Sequence, residues 1–134
     1  MGDRCYVAVT VRKKDRDAAG AILGEPNNET EDGDTIQLEY EEYNYGAMDA
    51  LARMAKAKIP FTSVAGAGTE YEAQEDCSDT DGYHMDVVVS QYSGRPIVEL
   101  DGRGEPFAGD LRCVKEFYEH LEKVDNQLRG KRRK

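Results

Sequence analysis

Residues 111–128 place apolar side chains at helical spacing: Leu111, Val114, Phe117, Tyr118, Leu121, Val124 and Leu128 form one stripe. A long helix with a single apolar face has to bury that face against another layer. Asp110 offers an N-cap, and Glu119 lies one turn before Lys123 in the favourable i,i+4 order. A heptad seam to a second copy would have to accept Asp125, so burial against a sheet of the same chain is the expected solution. Monomer and homodimer both stay open.

The rest of the chain supplies that sheet. Residues 5–12 alternate, with Cys5, Val7, Val9 and Val11 on one side and Tyr6, Ala8, Thr10 and Arg12 on the other, which predicts a strand. Residues 35–43 repeat the pattern, with Ile36, Leu38 and Tyr40 inward and Gln37, Glu39 and Glu41 outward. A short strand is expected over 61–67 and another over 83–91. The latter carries His84, Asp86, Val88 and Ser90 on one face and Met85, Val87 and Val89 on the other. Ser93, Gly94, Arg95 and Pro96 read as a hairpin connection into a last strand over 97–100. Two helices interleave. One spans 13–23, with Asp15 as N-cap and Gly24 as stop; the other spans 45–57, with Asn44 as cap and Pro60 preventing continuation. The polar segments 25–34, 69–82 and 101–106 read as loops. The order β-α-β-α-β-β-β-α predicts a single α+β domain over residues 1–128. It is expected to be a five-stranded mixed sheet with helices mainly on one face, followed by a basic disordered tail over 129–134.

With 134 residues, the chain fits one domain. No apolar run approaches the roughly 18 residues of a membrane span, and the N-terminus carries no signal-peptide core, so a cytoplasmic protein is expected. Cys5, Cys77 and Cys113 are odd in number and far apart, which excludes a disulfide framework and favours reduced thiols. Cys5 and Cys113 are expected to be buried as small hydrophobes.

The net charge of −9 hides an asymmetry. Residues 1–24 hold five basic and three acidic groups, residues 25–110 hold five and 20, and residues 111–134 hold eight and four. A strongly acidic middle is thus bracketed by basic ends. Phosphate is repelled, so direct nucleic-acid binding is disfavoured except through Lys131, Arg132, Arg133 and Lys134, with Arg12, Lys13 and Lys14 as a second basic cluster. Tyr40, Tyr43 and Tyr45 interleave with Glu39, Glu41 and Glu42. Alternate strand side chains stand about 6.6 Å apart, a spacing like that of phosphates along a nucleic acid. The acids therefore suit a basic groove, and tyrosine is a low-entropy interface anchor. The expected partner-binding residues are Glu39, Glu41, Glu42, Tyr43, Tyr45, Glu70, Glu72, Asp76, Asp79 and Asp81.

Catalytic motifs do not pass inspection, and no catalytic residue, metal or cofactor is assigned. Gly66 and Gly68 offer two glycines of a dinucleotide loop, but Tyr71 stands at the third and Glu70, Glu72, Glu75 and Asp76 would repel a pyrophosphate. Aligning Gly82 with the turn glycine of an EF-hand puts Cys77 and Val88 at ligand positions, which rejects that motif. The alternative reading is a small-ligand or metal-binding protein or enzyme using residues 66–84. It would draw on Asp76, Asp79 and Asp81 for a hard cation or on Cys77, Asp81 and His84 for a transition metal.

The opening Met1-Gly-Asp-Arg-Cys5 ahead of a strand, and the segment Ile59-Pro-Phe-Thr-Ser-Val-Ala-Gly-Ala-Gly-Thr-Glu-Tyr71, resemble small acidic proteins of phages and mobile elements. Some of those are anti-CRISPR or anti-restriction inhibitors. The resemblance implies a non-enzymatic inhibitor of a host nucleic-acid-handling defence complex, acting in the host cytoplasm. The basic tail departs from the acidic mimics in that group.

Overall fold

The computed structural model describes residues 4–44, 47–67 and 72–130. Among them, strands β1 (Arg4–Arg12), β2 (Asn28–Asp32), β3 (Thr35–Asn44), β4 (Phe61–Ala65), β5 (Gln74–Ser78) and β6 (His84–Val88) form one open sheet. Their order is β2-β3-β1-β4-β5-β6, and every neighbouring pair is antiparallel. Helices α1 (Arg16–Leu23), α2 (Met48–Lys56) and α3 (Ala108–Arg129) complete the α+β fold.

Strand β1 alternates as its sequence dictates. Val7, Val9 and Val11 are fully buried and meet Ala19 and Leu23 of α1 and Leu51 and Met54 of α2 in one core. Leu38 and Ile36 of β3 oppose Val9 and Val11 in register, and Phe61 and Ala65 of β4 extend the same face. A second core lies across the sheet, where Phe117, Val124 and Leu128 of α3 pack with Cys77, Val87 and Val89. Cys77 is opposite Met85 in register, and both therefore point away from the α1–α2 side. Two of the three helices thus share one face of the sheet, and α3 covers the other.

The sheet has six antiparallel strands instead of five mixed ones, and each difference has a local cause. β2 (Asn-Glu-Thr-Glu-Asp) is an edge strand exposed along its length, so no alternation marks it. Its formation rests on backbone pairing with β3 around a two-residue turn, where Gly33 takes φ 62°. β5 (Gln-Glu-Asp-Cys-Ser) carries a single apolar residue and was likewise masked by its polarity. Residues 97–100 are not a strand; the segment after β6 makes only the isolated bridges Val89–Pro96 and Leu100–Pro106. Proline cannot donate to a ladder, which keeps that arm irregular.

Helix ends shift as well. Residues 13–15 form a 3-10 turn ahead of α1, and the Asp15 carboxylate accepts from Arg12 Nε at 2.7 Å in place of capping the helix. Asp110 lies inside α3, whose first turns overhang the sheet; Leu111 and Cys113 are consequently exposed, and Phe117 is the first buried residue of the stripe. No helix among the described residues is long and apolar enough to cross a membrane.

Gly82 sits in the β5–β6 turn at φ 85°, where an added Cβ would stand 2.6 Å from the Ala55 carbonyl oxygen. Gly33 has positive φ but open space around it. Gly33→Ala is therefore expected to cost about 1 kcal/mol from backbone strain alone. Gly82→Ala should cost at least about twice that, because the α2 carbonyl has to move too. Urea denaturation of the two variants checks the order; equal losses would contradict the close approach.

Candidate functional site

Glu25, Glu29, Glu31, Asp32, Asp34, Glu39, Glu41 and Glu42 fall within residues 25–44, a segment without a single lysine or arginine. The β2–β3 pairing folds this segment into the outer ribbon of the sheet. Its acids divide between the two faces by strand alternation. Glu29 and Glu31 oppose Leu38 and Ile36 and so lie on the α1 side, where cations meet them. Arg16 grips Glu29 through Nε and Nη2 at 3.2 and 2.5 Å, and Lys13 Nζ stands 3.2 Å from Glu31. Asp32 lies on the α3 side, with Arg129 at 3.8 Å. Glu39 and Glu41 alternate to that side also. Glu39 hydrogen-bonds the exposed Tyr6, and burial together with that neighbouring carboxylate raises the phenol's pKa. Glu41 and Glu42 are exposed.

The tyrosines take another role. A register shift between Cys5 and Val7 turns both Tyr40 and Tyr43 toward α1. Their hydroxyls donate to the carbonyls of Gly24 and Leu23, each at 2.7 Å, and their rings meet edge to face at 5.2 Å. They satisfy acceptors that the end of α1 leaves open. Burial, then the neighbouring Tyr43, pushes Tyr40 up to about 12. Tyr43 is therefore half-buried packing and not a projecting anchor. Tyr45 and Glu70 lie outside the described residues, as do Lys131–Lys134. Of the second basic cluster, Arg12 and Lys13 are engaged by Asp15 and Glu31.

The remaining acids are not part of the ribbon. Glu72 and Asp81 are exposed near the opposite end of the sheet, while Asp76 and Asp79 are buried. Asp79 fixes the β5–β6 turn to α3. Its Oδ1 accepts from the Asp81 and Tyr83 amides, both at 2.9 Å, and its Oδ2 accepts from Lys123 Nζ at 3.0 Å. The Thr80 amide donates to Gln127, and His120 Nε2 lies 2.8 Å from the Tyr83 carbonyl. His120 is a buried member of the α3 face that the apolar stripe did not reveal. Neither metal set anticipated from residues 66–84 assembles: Asp79 is held in this turn, and Cys77 points into the α3 core. Burial, then the charges of Asp76, Glu75 and Asp79, pushes the Cys77 thiol up to about 12, which keeps it a neutral packing group. Asp76 instead meets His84 and Asp86 on the other face of the sheet.

No family model, curated protein or solved structure matches the chain significantly.

Burial opposes ionisation of Asp79, but the Tyr83 amide, Lys123 and the Asp81 amide outweigh it and hold the carboxyl below its usual value. A depressed folded-state pKa contributes stability above the unfolded value near 4, and that contribution is lost as pH falls through the folded value. Asp79→Asn should flatten the loss of stability below about pH 4. Asp79→Ala, which strands buried donors, should cost about 2–3 kcal/mol at neutral pH. Chemical denaturation across pH measures both; an unchanged acid limb in Asp79→Asn would assign the pH dependence elsewhere.

Proposed function

We propose that this chain is a non-enzymatic binding protein that docks its acidic β2–β3 ribbon into a lysine- and arginine-lined groove of a nucleic-acid-handling host complex, as a phage-type inhibitor would. One observation carries the reading: residues 25–44 hold eight carboxylates and no cation, and they form the outer edge of the sheet. Surplus charge of one sign on an exposed edge steers a cationic partner and fixes its orientation. Lys13, Arg16 and Arg129 offset part of this charge, and they also pin the ribbon to α1 and α3. A pinned ribbon loses less entropy on docking than a mobile loop. The surface in this proposal is narrower than the sequence suggested. It keeps Glu39, Glu41 and Glu42, adds Asp34 and the exposed Tyr6, and leaves out Tyr43, which packs against α1, and Glu72, Asp76, Asp79 and Asp81, which lie toward the other end of the sheet.

The discriminating comparison uses two double charge reversals of equal net charge. Glu41→Lys/Glu42→Lys alters the ribbon, and Glu116→Lys/Glu119→Lys alters the exposed side of α3. Affinity capture from a host lysate, followed by mass spectrometry, should retain a nucleic-acid-handling protein on wild type and on the α3 variant. The ribbon variant should lose it, and wild-type binding should weaken with rising salt. Equal binding by both variants, or salt-insensitive binding, would defeat the reading.

A further inference from the structure

Asp76, His84 and Asp86 converge far from the ribbon, on the α1–α2 side of β5 and β6. The register explains why. Ser63 of β4, Asp76 of β5 and Asp86 of β6 stand opposite one another in one row across the sheet. Phe61, Ser78 and His84 form the next row on the same face. One ligand atom from each of Asp76, His84 and Asp86 lies within 4.8 Å of the other two. Asp76 is 5% exposed; its Oδ2 is 2.7 Å from His84 Nε2, while Gln74 Nε2 donates to its Oδ1 at 2.8 Å. Phe61 meets the imidazole edge to face at 5.5 Å and limits its swing.

Two further groups point to an occupant. Ser63 Oγ and Ser78 Oγ are buried, with residue exposures of 2% and 0%, and neither has a hydrogen-bond partner among the described residues. A buried hydroxyl without a partner has given up its hydrogen bonds to water with nothing in return. Both belong to the rows that hold the cluster: Ser63 is the cross-strand neighbour of Asp76, and Ser78 that of His84. Directly opposite strand residues bring their Cβ atoms about 4.5–5.5 Å apart, so both hydroxyls are within reach of a ligand shell at this point.

We propose that Asp76, His84 and Asp86 bind a divalent first-row transition ion, with Ser63 and Ser78 hydrogen-bonding its coordinated water. Tetrahedral ligand atoms about 2.1 Å from one ion stand about 3.4 Å apart, so ion binding opens the 2.7 Å Asp76–His84 contact and draws Asp86 inward by side-chain rotation. The ion takes the place of the proton between Asp76 and His84 and offsets the repulsion between the two carboxylates. An imidazole beside two carboxylates selects Zn2+ or a similar ion over Ca2+ and Mg2+, which prefer all-oxygen shells. Gln74, donating to the other Asp76 oxygen, orients that ligand. His84 and Asp86 reach the surface, so ions enter and further positions stay open to water. The site is independent of the ribbon, and partner docking does not require it.

Titration of the full chain with Zn2+ by calorimetry, together with thermal shift, tests the proposal. Wild type should bind one ion per chain and melt at a higher temperature with Zn2+, whereas Ca2+ and Mg2+ should leave it unshifted. Asp86→Asn changes an exposed side chain, so the fold should persist by circular dichroism while Zn2+ affinity falls by at least about 10- to 100-fold. His84→Gln should do the same and abolish the visible bands of the Co2+ form. Asp81→Asn, in the adjacent turn, should bind like wild type. Absence of Zn2+ binding, undiminished binding by Asp86→Asn, or a Ca2+ or Mg2+ shift equal to that of Zn2+ would overturn it.

Discussion

Val7, Val9 and Val11 occupy the middle of the sheet with no exposed surface, and the position of every other element follows from keeping them dry. β1 is flanked by β3 and β4, so its backbone is paired on both sides. Its valine face then has to be roofed, which α1 and α2 accomplish with Ala19, Leu23, Leu51 and Met54. Fully burying a valine is worth about 1.5–3 kcal/mol, so this three-residue row is a large share of what a small domain can gather. Once one face is roofed over β1, β3 and β4, the long stripe of α3 remains to be buried. It goes to the opposite face, over β4, β5 and β6.

That stagger determines where polar chemistry survives. On the α1–α2 side, the cover thins toward β5 and β6, and there Asp76, His84 and Asp86 replace the aliphatic residues found on β1 and β3. On the α3 side, the end of α3 reaches Asp32 through Arg129, and Glu39 and Glu41 occupy the same face of β3. The two regions are diagonal to each other across one sheet. The acidic middle of the chain is thus divided between the two ends of the sheet, the ribbon on β2 and β3 and the Asp76–His84–Asp86 cluster on β5 and β6. A single electronegative face is not formed. Asp79 belongs to neither region, because its charge is spent on backbone amides and Lys123 in holding the β5–β6 turn against α3.

The candidate sites were legible only in part, for reasons visible in particular residues. Alternation over 83–91 placed His84 and Asp86 on one face and Val87 and Val89 on the other, and the structure has that arrangement. Asp76 carries no strand signal because β5 contains one apolar side chain, Cys77, and a single point gives no period. Ser63 did carry a signal: it is a polar residue at an inward position between Phe61 and Ala65, and inward polar residues need partners. A strict two-residue repeat puts Tyr43 on the outer face, because the register shift between Cys5 and Val7 that turns it toward α1 leaves no trace in the alternation. His120 fell outside a stripe defined by apolarity, although its position between Phe117 and Val124 matches the buried face.

By itself the sequence determined the α+β class, the valine strand, the acidic strand over 35–43, the three helices and the uneven distribution of charge. These depend on local periodicity and on composition, which are properties of neighbours along the chain. Tertiary structure alone decided the strand order, the edge strand β2, the polar strand β5 and the division of helices between the two faces. It also decided which carboxylates meet a cation, an imidazole or water. Backbone pairing needs no apolar pattern, so polar strands leave no periodic trace. The neighbours of a carboxylate are set by cross-strand register between segments whose separation along the chain says nothing about their distance in space.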